Sequence, residues 1–285
     1  EPDTNNNTSD NNTNNGDNNS NGDNNNNNSN NSNQNNSDNN NSGNDSPDSG
    51  NQGNSSVEIV NKDLTFDFET KTVTLNNGIK MPILGIGTYT LSNSQAENSV
   101  YWALRDGYRL IDTARIYGNE EGVGRGIRRA ISEGLVTREE VFVTTKMWTA
   151  DFNNGDAAIN ASLQRIGLDY IDLMILHHSQ PSNDVNAYKA MERAVQSGKL
   201  RSIGLSNYYE PSDFDRLVNA TSIKPALLQN ETHPHYQGQT MKKHIAQYGT
   251  VLESWFPLGG RGHTQELFND PIISSVAQAH GKTSA

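Results

Sequence analysis

A carboxylate and a phenol that are five residues apart, Asp112 and Tyr117, are the most suggestive pair in this chain. They lie in the segment GYRLIDTARIYGNEE, residues 107–121, in which Leu110 and Ile111 form a short apolar run that ends at the acid. A strand that ends in an acid, with a tyrosine in the loop beyond it, can build a site for proton transfer. The segment therefore predicts such a site, provided that other strand ends supply partners.

Polar or aromatic residues also end the other apolar runs. In chain order the residues at these ends are Thr88, Asp112, Lys146, His177 with His178, Ser206 with Asn207, Gln229, and Trp255. A tyrosine titrates at about 10, and a lysine ammonium nearby would favour the phenolate and lower that pKa. A carboxylate can hold the lysine, and a neutral imidazole can hydrogen-bond to a substrate oxygen. This combination favours proton transfer to a developing alkoxide.

The elements that must position these residues alternate between apolar runs and helical stretches. The predicted strands are residues 83–88, 110–114, 141–146, 171–177, 202–207, 226–231 and 251–256. The predicted helices are residues 94–106, 119–134, 155–166, 185–197, 211–219 and 238–248. Continuous apolar runs are typical of strands that are covered on both faces. Seven strands with helical crossovers predict an α/β fold of the (β/α)8 barrel type, and a doubly wound open sheet is the alternative.

Local signals refine this outline. Residues 72–75 and 79–81 are joined by Asn76-Asn77-Gly78, which predicts a β-hairpin in front of the barrel, and residues 57–60 could add a short strand. Asn119 is the expected N-cap of the helix that follows Tyr117. The run GVGRG at 122–126 lacks the GxGxxG spacing and lies inside that helix, so we interpret it as a packing face of small residues.

Composition separates an N-terminal tail from the rest. Residues 1–56 are almost entirely Asn, Ser, Asp, Gly and Thr, so they have nothing apolar to bury and are expected to be disordered. Eight of the 33 acidic residues lie there with no basic residue, so the net charge of −11 divides into −8 for the tail and −3 for residues 57–285. A nearly neutral folded part argues against a nucleic-acid surface.

Two further classes are disfavoured by composition. No run approaches 18 apolar residues, so no membrane span is expected, and the absence of cysteine excludes disulfides, thiolate zinc sites and cysteine nucleophiles. The first residue is Glu1 and not Met. A polar tail left after removal of a signal fits an exported protein, but trimming explains it equally, and both remain open.

Seven segments, in the same order, resemble the aldo-keto reductase family. They are LNNGIKMPILGIGT, GYRLIDTARIYGNEE, VFVTTKMW, DYIDLMILHH, GKLRSIGLSNY, LLQNETHP and ESWFPLGG, and the resemblance extends over residues 73–285. It implies a monomeric, cytoplasmic barrel enzyme that transfers hydride between a nicotinamide cofactor and a carbonyl compound. The cofactor is expected to be NADPH, with NADH as the alternative. The implied substrate is a small aldehyde or ketone.

The resemblance also implies a role for each residue at the strand ends. Tyr117 would donate the proton, Lys146 and Asp112 would tune it, and His177 would orient the substrate. The residues implied for the cofactor are Gly87, Thr88 and Asp112 beside the nicotinamide, Ser206, Asn207 and Gln229 on its carboxamide, Trp255 stacked on its ring, and Pro257 and Leu258 beside the pyrophosphate. The residues implied for the substrate pocket are Tyr89, Trp148, His177 and His178.

Two site positions differ from the family pattern. Trp255 stands where the family usually has a tyrosine, and its larger ring should still stack on the nicotinamide. His178 stands where the family usually has tryptophan. Because adjacent residues in a strand point to opposite faces, only one of the two histidines should point inward, and the family register selects His177. His178 would then line the pocket or face solvent.

Other interpretations of these residues remain. The two histidines could bind a metal together with His233 and His235, but this requires ligands from separate loops to converge, so no metal is expected. The sequence stops where the family begins the helix before its eighth strand, so we expect a barrel without its last strand, last helices and phosphate-gripping loop. The non-enzymatic alternative is a nicotinamide-binding or regulatory barrel with little or no chemistry.

Overall fold

The computed structural model describes residues 65–284. The expected disordered tail, residues 1–56, and the possible strand at 57–60 lie outside the described residues, so the boundary at residue 57 stays a prediction. Within the described range, no helix is both long and apolar enough to cross a membrane.

Three short strands form an antiparallel sheet in the order β1-β2-β3. They are β1 (Thr65–Asp67), β2 (Thr72–Thr74) and β3 (Lys80–Pro82). The predicted hairpin is therefore confirmed as the β2–β3 pair, and β1 is an additional strand. In the turn, Gly78 has a left-handed φ of 82° and its N–H donates to the carbonyl of Leu75. The glycine thus provides the positive φ that closes the hairpin.

Seven parallel strands form the main sheet. They are β4 (Gly85–Gly87), β5 (Leu110–Asp112), β6 (Phe142–Met147), β7 (Ile171–Leu176), β8 (Leu200–Ser206), β9 (Leu227–Glu231) and β10 (Val251–Trp255). Each strand pairs with its sequence neighbours in one continuous order from β4 to β10. A doubly wound sheet would reverse its order at a switch point. The barrel-type prediction is confirmed and the doubly wound alternative is wrong.

Helices connect these strands. They are α1 (Asn93–Arg105), α2 (Glu120–Ser132), α3 (Gly155–Ile166), α4 (Asp184–Gln196), α5 (Pro211–Asn219) and α6 (Gln239–Ala246), with α7 (Thr264–Phe268) and α8 (Pro271–Ala279) after the last strand. All six predicted crossover helices are present. The small-residue face of α2 is also confirmed, because a Cβ on Gly122 would collide with the backbone of Asn93 in α1.

The sheet is strongly curled. Gln229 in β9 hydrogen-bonds to Asp112 in β5 at 2.9 Å, although the two strands are four positions apart in the sheet. Since neighbouring strands are about 4.8 Å apart, a flat sheet would separate these residues by about 19 Å. In the described part of the chain, β4 and β10 form the two edges of the curled sheet and each pairs on one side only.

The interior of the curled sheet is apolar at its amino-terminal end. Leu75 and Met81 of the hairpin are buried there against side chains from several strands, including Phe142 and Leu173. The amide nitrogen of Asn76 donates to the carbonyls of Pro225 and Tyr248, which holds the hairpin against the loops before β9 and β10. The hairpin thus closes this end, and the polar strand ends lie at the other.

Candidate active site

The ends of β5 and β6 bring Asp112, Lys146 and Tyr117 together. Asp112 is the last residue of β5, and a single 3-10 turn, Arg115–Tyr117, returns the tyrosine toward the strand end. Gly118 has a left-handed φ of 69°, which allows the chain to leave this turn and enter α2. The separation of five residues therefore allows Asp112 and Tyr117 to contact the same ammonium group, that of Lys146.

Lys146 is the centre of this group. Its side chain is 1% exposed, and the ammonium donates to Asp112 Oδ1 at 2.5 Å and to the carbonyl oxygen of Thr113 at 3.0 Å. The third contact runs from Nζ to the hydroxyl oxygen of Tyr117 at 3.4 Å. A buried ammonium is stable only when its hydrogens are satisfied, and here all three have oxygen partners.

The pKa shifts of this group correct one expectation. Burial raises the pKa of Tyr117 above its usual value, and the nearby Lys146 opposes this effect without overcoming it. The prediction that Lys146 would lower the tyrosine pKa below its ordinary value is therefore wrong for this structure, although Lys146 acts in the predicted direction. Burial also disfavours the Lys146 ammonium, but the electrostatic effects of Asp112 and of the Tyr117 hydroxyl outweigh it and raise the lysine pKa. Both groups hold their protons at neutral pH.

His177 lies directly after β7 and faces the tyrosine. The two rings meet edge to face with centroids 5.8 Å apart. Burial, together with the positive charge of Lys146, lowers the pKa of His177 to about 3, so the imidazole is neutral at physiological pH. Its Nδ1 is buried and has no hydrogen-bond partner among the described residues. The ring is thus held by packing next to the catalytic candidates.

The expectation that only one of the two histidines points inward is wrong. The rings of His177 and His178 stack with centroids 5.1 Å apart and an angle of 9° between their planes. Trp148 contacts both rings, at 5.3 Å and 5.4 Å. The alternation rule does not apply because β7 ends at Leu176, so both histidines lie beyond the strand. Trp148 and the two imidazoles form one aromatic wall.

Tyr89 forms a second wall beside the phenol. Its ring lies 5.0 Å from that of Tyr117, and about half of its side chain is exposed. The guanidinium of Arg261, in the loop after β10, lies 5.4 Å from the Tyr89 ring. Sequence reasoning assigned no role to Arg261. This contact joins the loops that follow the first and last strands of the sheet.

A hydrogen-bonded unit of Ser206, Asn207 and Trp255 lies at the ends of β8 and β10. Asn207 Nδ2 donates to Ser206 Oγ at 3.1 Å and to the carbonyl of His177 at 2.8 Å. Asn207 Oδ1 accepts from Trp255 Nε1 and from the hydroxyl of Tyr209, each at 3.1 Å. The four hydrogen-bonding positions of the Asn207 amide are thus occupied within the protein, which holds the indole ring in place.

Gln229 links this region to the catalytic candidates. Its amide nitrogen donates to Asp112 Oδ2 at 2.9 Å and to Glu253 Oε2 at 2.8 Å. Glu253, in the middle of β10, was missed by sequence reasoning. A glutamate within the strand run VLESW was the available signal, because a charge there must face the interior of the barrel or the solvent. Burial and the charge of Asp112 raise the pKa of Glu253 to about 7.

The other residues assigned to the cofactor divide into two groups. Gly87, the last residue of β4, is exposed, and so are Pro257 and Leu258, which lie just beyond the end of β10. Thr88 is fully buried, and its hydroxyl donates to the carbonyl of Asp112 and to Asn119 Oδ1. The Thr88 side chain therefore braces the end of β5 from beneath.

Asn119 has a different local role from the one expected. It precedes α2 but its side chain makes no capping hydrogen bond; its amide nitrogen donates instead to the carbonyls of Thr88 and Leu91. The cap comes from another helix, because Asn93 Oδ1 accepts from the N–H of Gly122 at 2.7 Å. Asn119 is a buried brace beneath the Tyr117 turn.

His233 and His235, the two further histidines of the metal interpretation, each have a carboxylate neighbour. His233 lies 3.4 Å from Glu231, and His235 lies 3.2 Å from Asp270. Within residues 65–284, no group of three or more His, Asp or Glu residues is arranged to hold a metal ion. The metal interpretation of the histidines has no geometric support in this part of the chain.

Known proteins share both the sequence and the fold. The family model for the aldo/keto reductase family matches residues 83–279. Morphine 6-dehydrogenase of Pseudomonas putida is 39% identical, with 75% of each chain covered. The NAD(P)H-dependent D-xylose reductase I,II of Candida tropicalis is 34% identical over 75% of this chain and 78% of its own.

Solved structures agree with these sequence matches. The Bombyx mori aldo-keto reductase in complex with NADP superposes with a TM-score of 0.68 at 35% identity, covering 75% of this chain and 76% of that one. An aldo/keto reductase from Brucella melitensis gives the same TM-score at 36% identity, covering 75% and 80% of the two chains. With the strand-end site and the sequential barrel order, these matches establish that the chain belongs to the aldo/keto reductase family.

Proposed function

We propose that this chain is an NADPH-dependent reductase that converts an aldehyde or ketone to an alcohol, with Tyr117 as the proton donor. The observation that carries the proposal is the arrangement around Lys146, whose buried ammonium contacts both Asp112 and the hydroxyl oxygen of Tyr117. Transfer of a proton from the phenol to a carbonyl oxygen leaves a phenolate. A fixed cation next to that oxygen stabilises the phenolate as it forms.

The raised pKa of Tyr117 is compatible with this role. A general acid must carry its proton until the transition state, and burial keeps the phenol protonated at neutral pH. Asp112 balances the charge of Lys146 before the reaction. When the phenolate forms, the ammonium has two anionic neighbours, so the proton transfer proceeds without leaving an isolated charge in the site.

His177 orients the substrate oxygen. Its neutral state, which follows from a pKa of about 3, means that the imidazole donates a hydrogen bond without competing with Tyr117 as an acid. The Nδ1 atom is enclosed by protein, so Nε2 is the nitrogen available to the mouth of the barrel. Tyr89, Trp148 and His178 supply aromatic walls around the carbonyl carbon.

The residues on the other side of the mouth fit a nicotinamide group. When bound, the reduced nicotinamide supplies the hydride that the carbonyl carbon receives. Gln229 and the hydroxyl of Ser206 are suited to its carboxamide, and the indole of Trp255 is held in place by Asn207 to cover the ring. Pro257 and Leu258 lie on the exposed loop after β10, which would run beside the pyrophosphate of the cofactor. The choice of NADPH follows the family, whose Bombyx mori member is in complex with NADP.

The related enzymes act on chemically different compounds. One is named for morphine, one for D-xylose and one for methylglyoxal. The substrate proposed here is therefore a class, reactive aldehydes and ketones that fit between aromatic walls.

A comparison of two phenylalanine variants tests the proposal. The purified chain is mixed with NADPH and a reactive aromatic aldehyde, and the loss of reduced-nicotinamide absorbance is followed. Tyr117→Phe should slow reduction by about 10²–10⁴-fold, which is the usual contribution of a general acid. Tyr108→Phe, which removes a hydroxyl near the opposite end of β5, should not. Full activity of Tyr117→Phe would contradict the mechanism, and NADPH binding without turnover by the wild type would favour the non-enzymatic alternative.

A further inference from the structure

Glu253 is a carboxylate that the proposed reaction does not use. It lies in the middle of β10, is partly buried, and accepts a hydrogen bond from Gln229 Nε2 at 2.8 Å. The same nitrogen donates to Asp112 Oδ2 at 2.9 Å. The two carboxylates come from β5 and β10 and meet at one amide in the middle of the curled sheet.

This arrangement determines which way the Gln229 amide points. An amide nitrogen carries two hydrogens, and here each of them has a carboxylate oxygen as its acceptor. Rotating the amide by half a turn would bring its oxygen against Asp112 Oδ2 and Glu253 Oε2, and ionised carboxylates have no hydrogen to donate to it and would repel it. The side-chain oxygen of Gln229 is therefore the atom left for a ligand.

We propose that Glu253 is a positioning residue which, together with Asp112, fixes the Gln229 amide so that its oxygen accepts a hydrogen bond from the NH2 of the nicotinamide carboxamide. The inference rests on the proposed function, because it assigns the nicotinamide to this side of the mouth. Glu253 itself does not touch the cofactor. It acts through Gln229.

The charges around Glu253 agree with this role. Asp112 faces it from β5 and Lys146 from β6, and Gln229 is the neutral group between the two carboxyls. Without Gln229 the carboxylates would lie near each other with only Lys146 to compensate. The pKa of Glu253 is raised to about 7 by burial and by Asp112. A protonated Glu253 retains a carbonyl oxygen that accepts from Gln229, and Asp112 Oδ2 still accepts from the same nitrogen, so the amide orientation persists on both sides of this pKa.

The first test needs no cofactor. The side-chain NH2 of Gln229 is assigned by NMR, using Gln229→Ala to identify its signals, and its hydrogen exchange is measured. Exchange should be slow in the wild type and in Glu253→Gln, whose side-chain oxygen still accepts, and at least several-fold faster in Glu253→Leu. Equal exchange in all three proteins would overturn the inference whether or not NADPH binds. If the leucine variant does not fold, Glu253→Ala replaces it.

The second test is a double-variant cycle on NADPH affinity, followed by quenching of tryptophan fluorescence. Gln229→Ala and Glu253→Leu should each weaken binding by about fivefold to tenfold, as expected for one hydrogen bond. If Glu253 acts through Gln229, the double variant should bind no more weakly than Gln229→Ala alone, and Glu253→Gln should retain most of the affinity.

The outcomes distinguish the positioning role of Glu253 from the proposed function. Additive losses in the double variant, or a loss in Glu253→Gln as large as in Glu253→Leu, would overturn the positioning role while leaving the proposed function intact. A wild-type chain that shows protected Gln229 hydrogens but does not bind NADPH would overturn the proposed function and the ligand assigned here.

Discussion

Asn207 Oδ1 accepts a hydrogen bond from Trp255 Nε1 at 3.1 Å. The contact joins the end of β8 to the end of β10 and fixes the indole ring. The asparagine that accepts this hydrogen bond has a left-handed φ of 58°. Asparagine tolerates this backbone conformation better than most residues. The position therefore combines a backbone requirement with a side-chain requirement.

Two substitutions at Asn207 should separate these requirements. Asn207→Gly keeps the left-handed backbone and removes the side chain, so Trp255 should become mobile, with lower fluorescence anisotropy and weaker NADPH binding. Asn207→Ala should show the same loss and an additional destabilisation of about 1–2 kcal/mol from the left-handed backbone. The measurements are indole anisotropy and urea unfolding. Unchanged anisotropy in both variants would contradict the role given to Asn207.

Removal of the charge of Asp112 should destabilise the fold. Lys146 is almost fully buried, so Asp112→Asn leaves its ammonium without an anionic partner, and we expect a loss of roughly 3 kcal/mol or more in the free energy of unfolding. The matched control is Asp156→Asn, which breaks an exposed ion pair with Arg193 and should cost at most about 1 kcal/mol. The double variant Asp112→Asn with Lys146→Met should recover part of the loss, and failure to do so would argue against a charge origin.

Acid should destabilise the protein partly through His177. Its pKa is lowered to about 3 in the folded chain, compared with 6.5 for an unperturbed histidine, so the unfolded state binds the proton more readily. The stability associated with the neutral ring is present above about pH 6.5 and is lost as the pH falls toward 3. His177→Asn should therefore lose less stability than the wild type between about pH 7 and about pH 5. His280→Asn, at an exposed position, should follow the wild type.

Glu253 should have the opposite pH dependence. Its folded pKa of about 7 lies above the ordinary value of 4.5, so the folded state binds the proton more readily. The contribution of Glu253 to stability is therefore greatest below about pH 4.5 and is lost as the pH rises to about 7. The melting temperature of Glu253→Gln should therefore exceed that of the wild type at about pH 8, and the difference should disappear at about pH 4.5. A difference that does not change with pH would mean that Glu253 does not titrate in this range.

The pH-rate profile should report Tyr117 and not His177. Because burial raises the tyrosine pKa, kcat/KM for aldehyde reduction should remain level through neutral pH and decline only in strongly alkaline solution. A histidine with a pKa of about 3 contributes no change between about pH 5 and about pH 8. An inflection in that range that persists in His177→Asn would indicate another titrating group, and Glu253 is the first to examine.

Much of this molecule can be predicted from local pattern. Seven strands, six crossover helices and the hairpin follow from apolar runs, helical spacing and an Asn-Gly turn, because burial on both faces and backbone preferences act over a few residues. The acid, lysine, tyrosine and histidine at the strand ends could also be named, because parallel strands deliver their last residues to one edge.

The remaining features depend on how the sheet closes. Asp112 and Gln229 are 117 positions apart in the chain, and only the curl of the sheet brings them within hydrogen-bonding distance. The same closure brings Glu253 against Gln229. The two histidines share one side because β7 ends at Leu176, immediately before them. Asn119 donates to the carbonyls of Thr88 and Leu91 because the loop after β4 packs against it. The sequence alone therefore determined the elements and the residue types at their ends. The tertiary structure decided which side chains share a proton, a charge or an amide, since these contacts depend on distances that no local pattern contains.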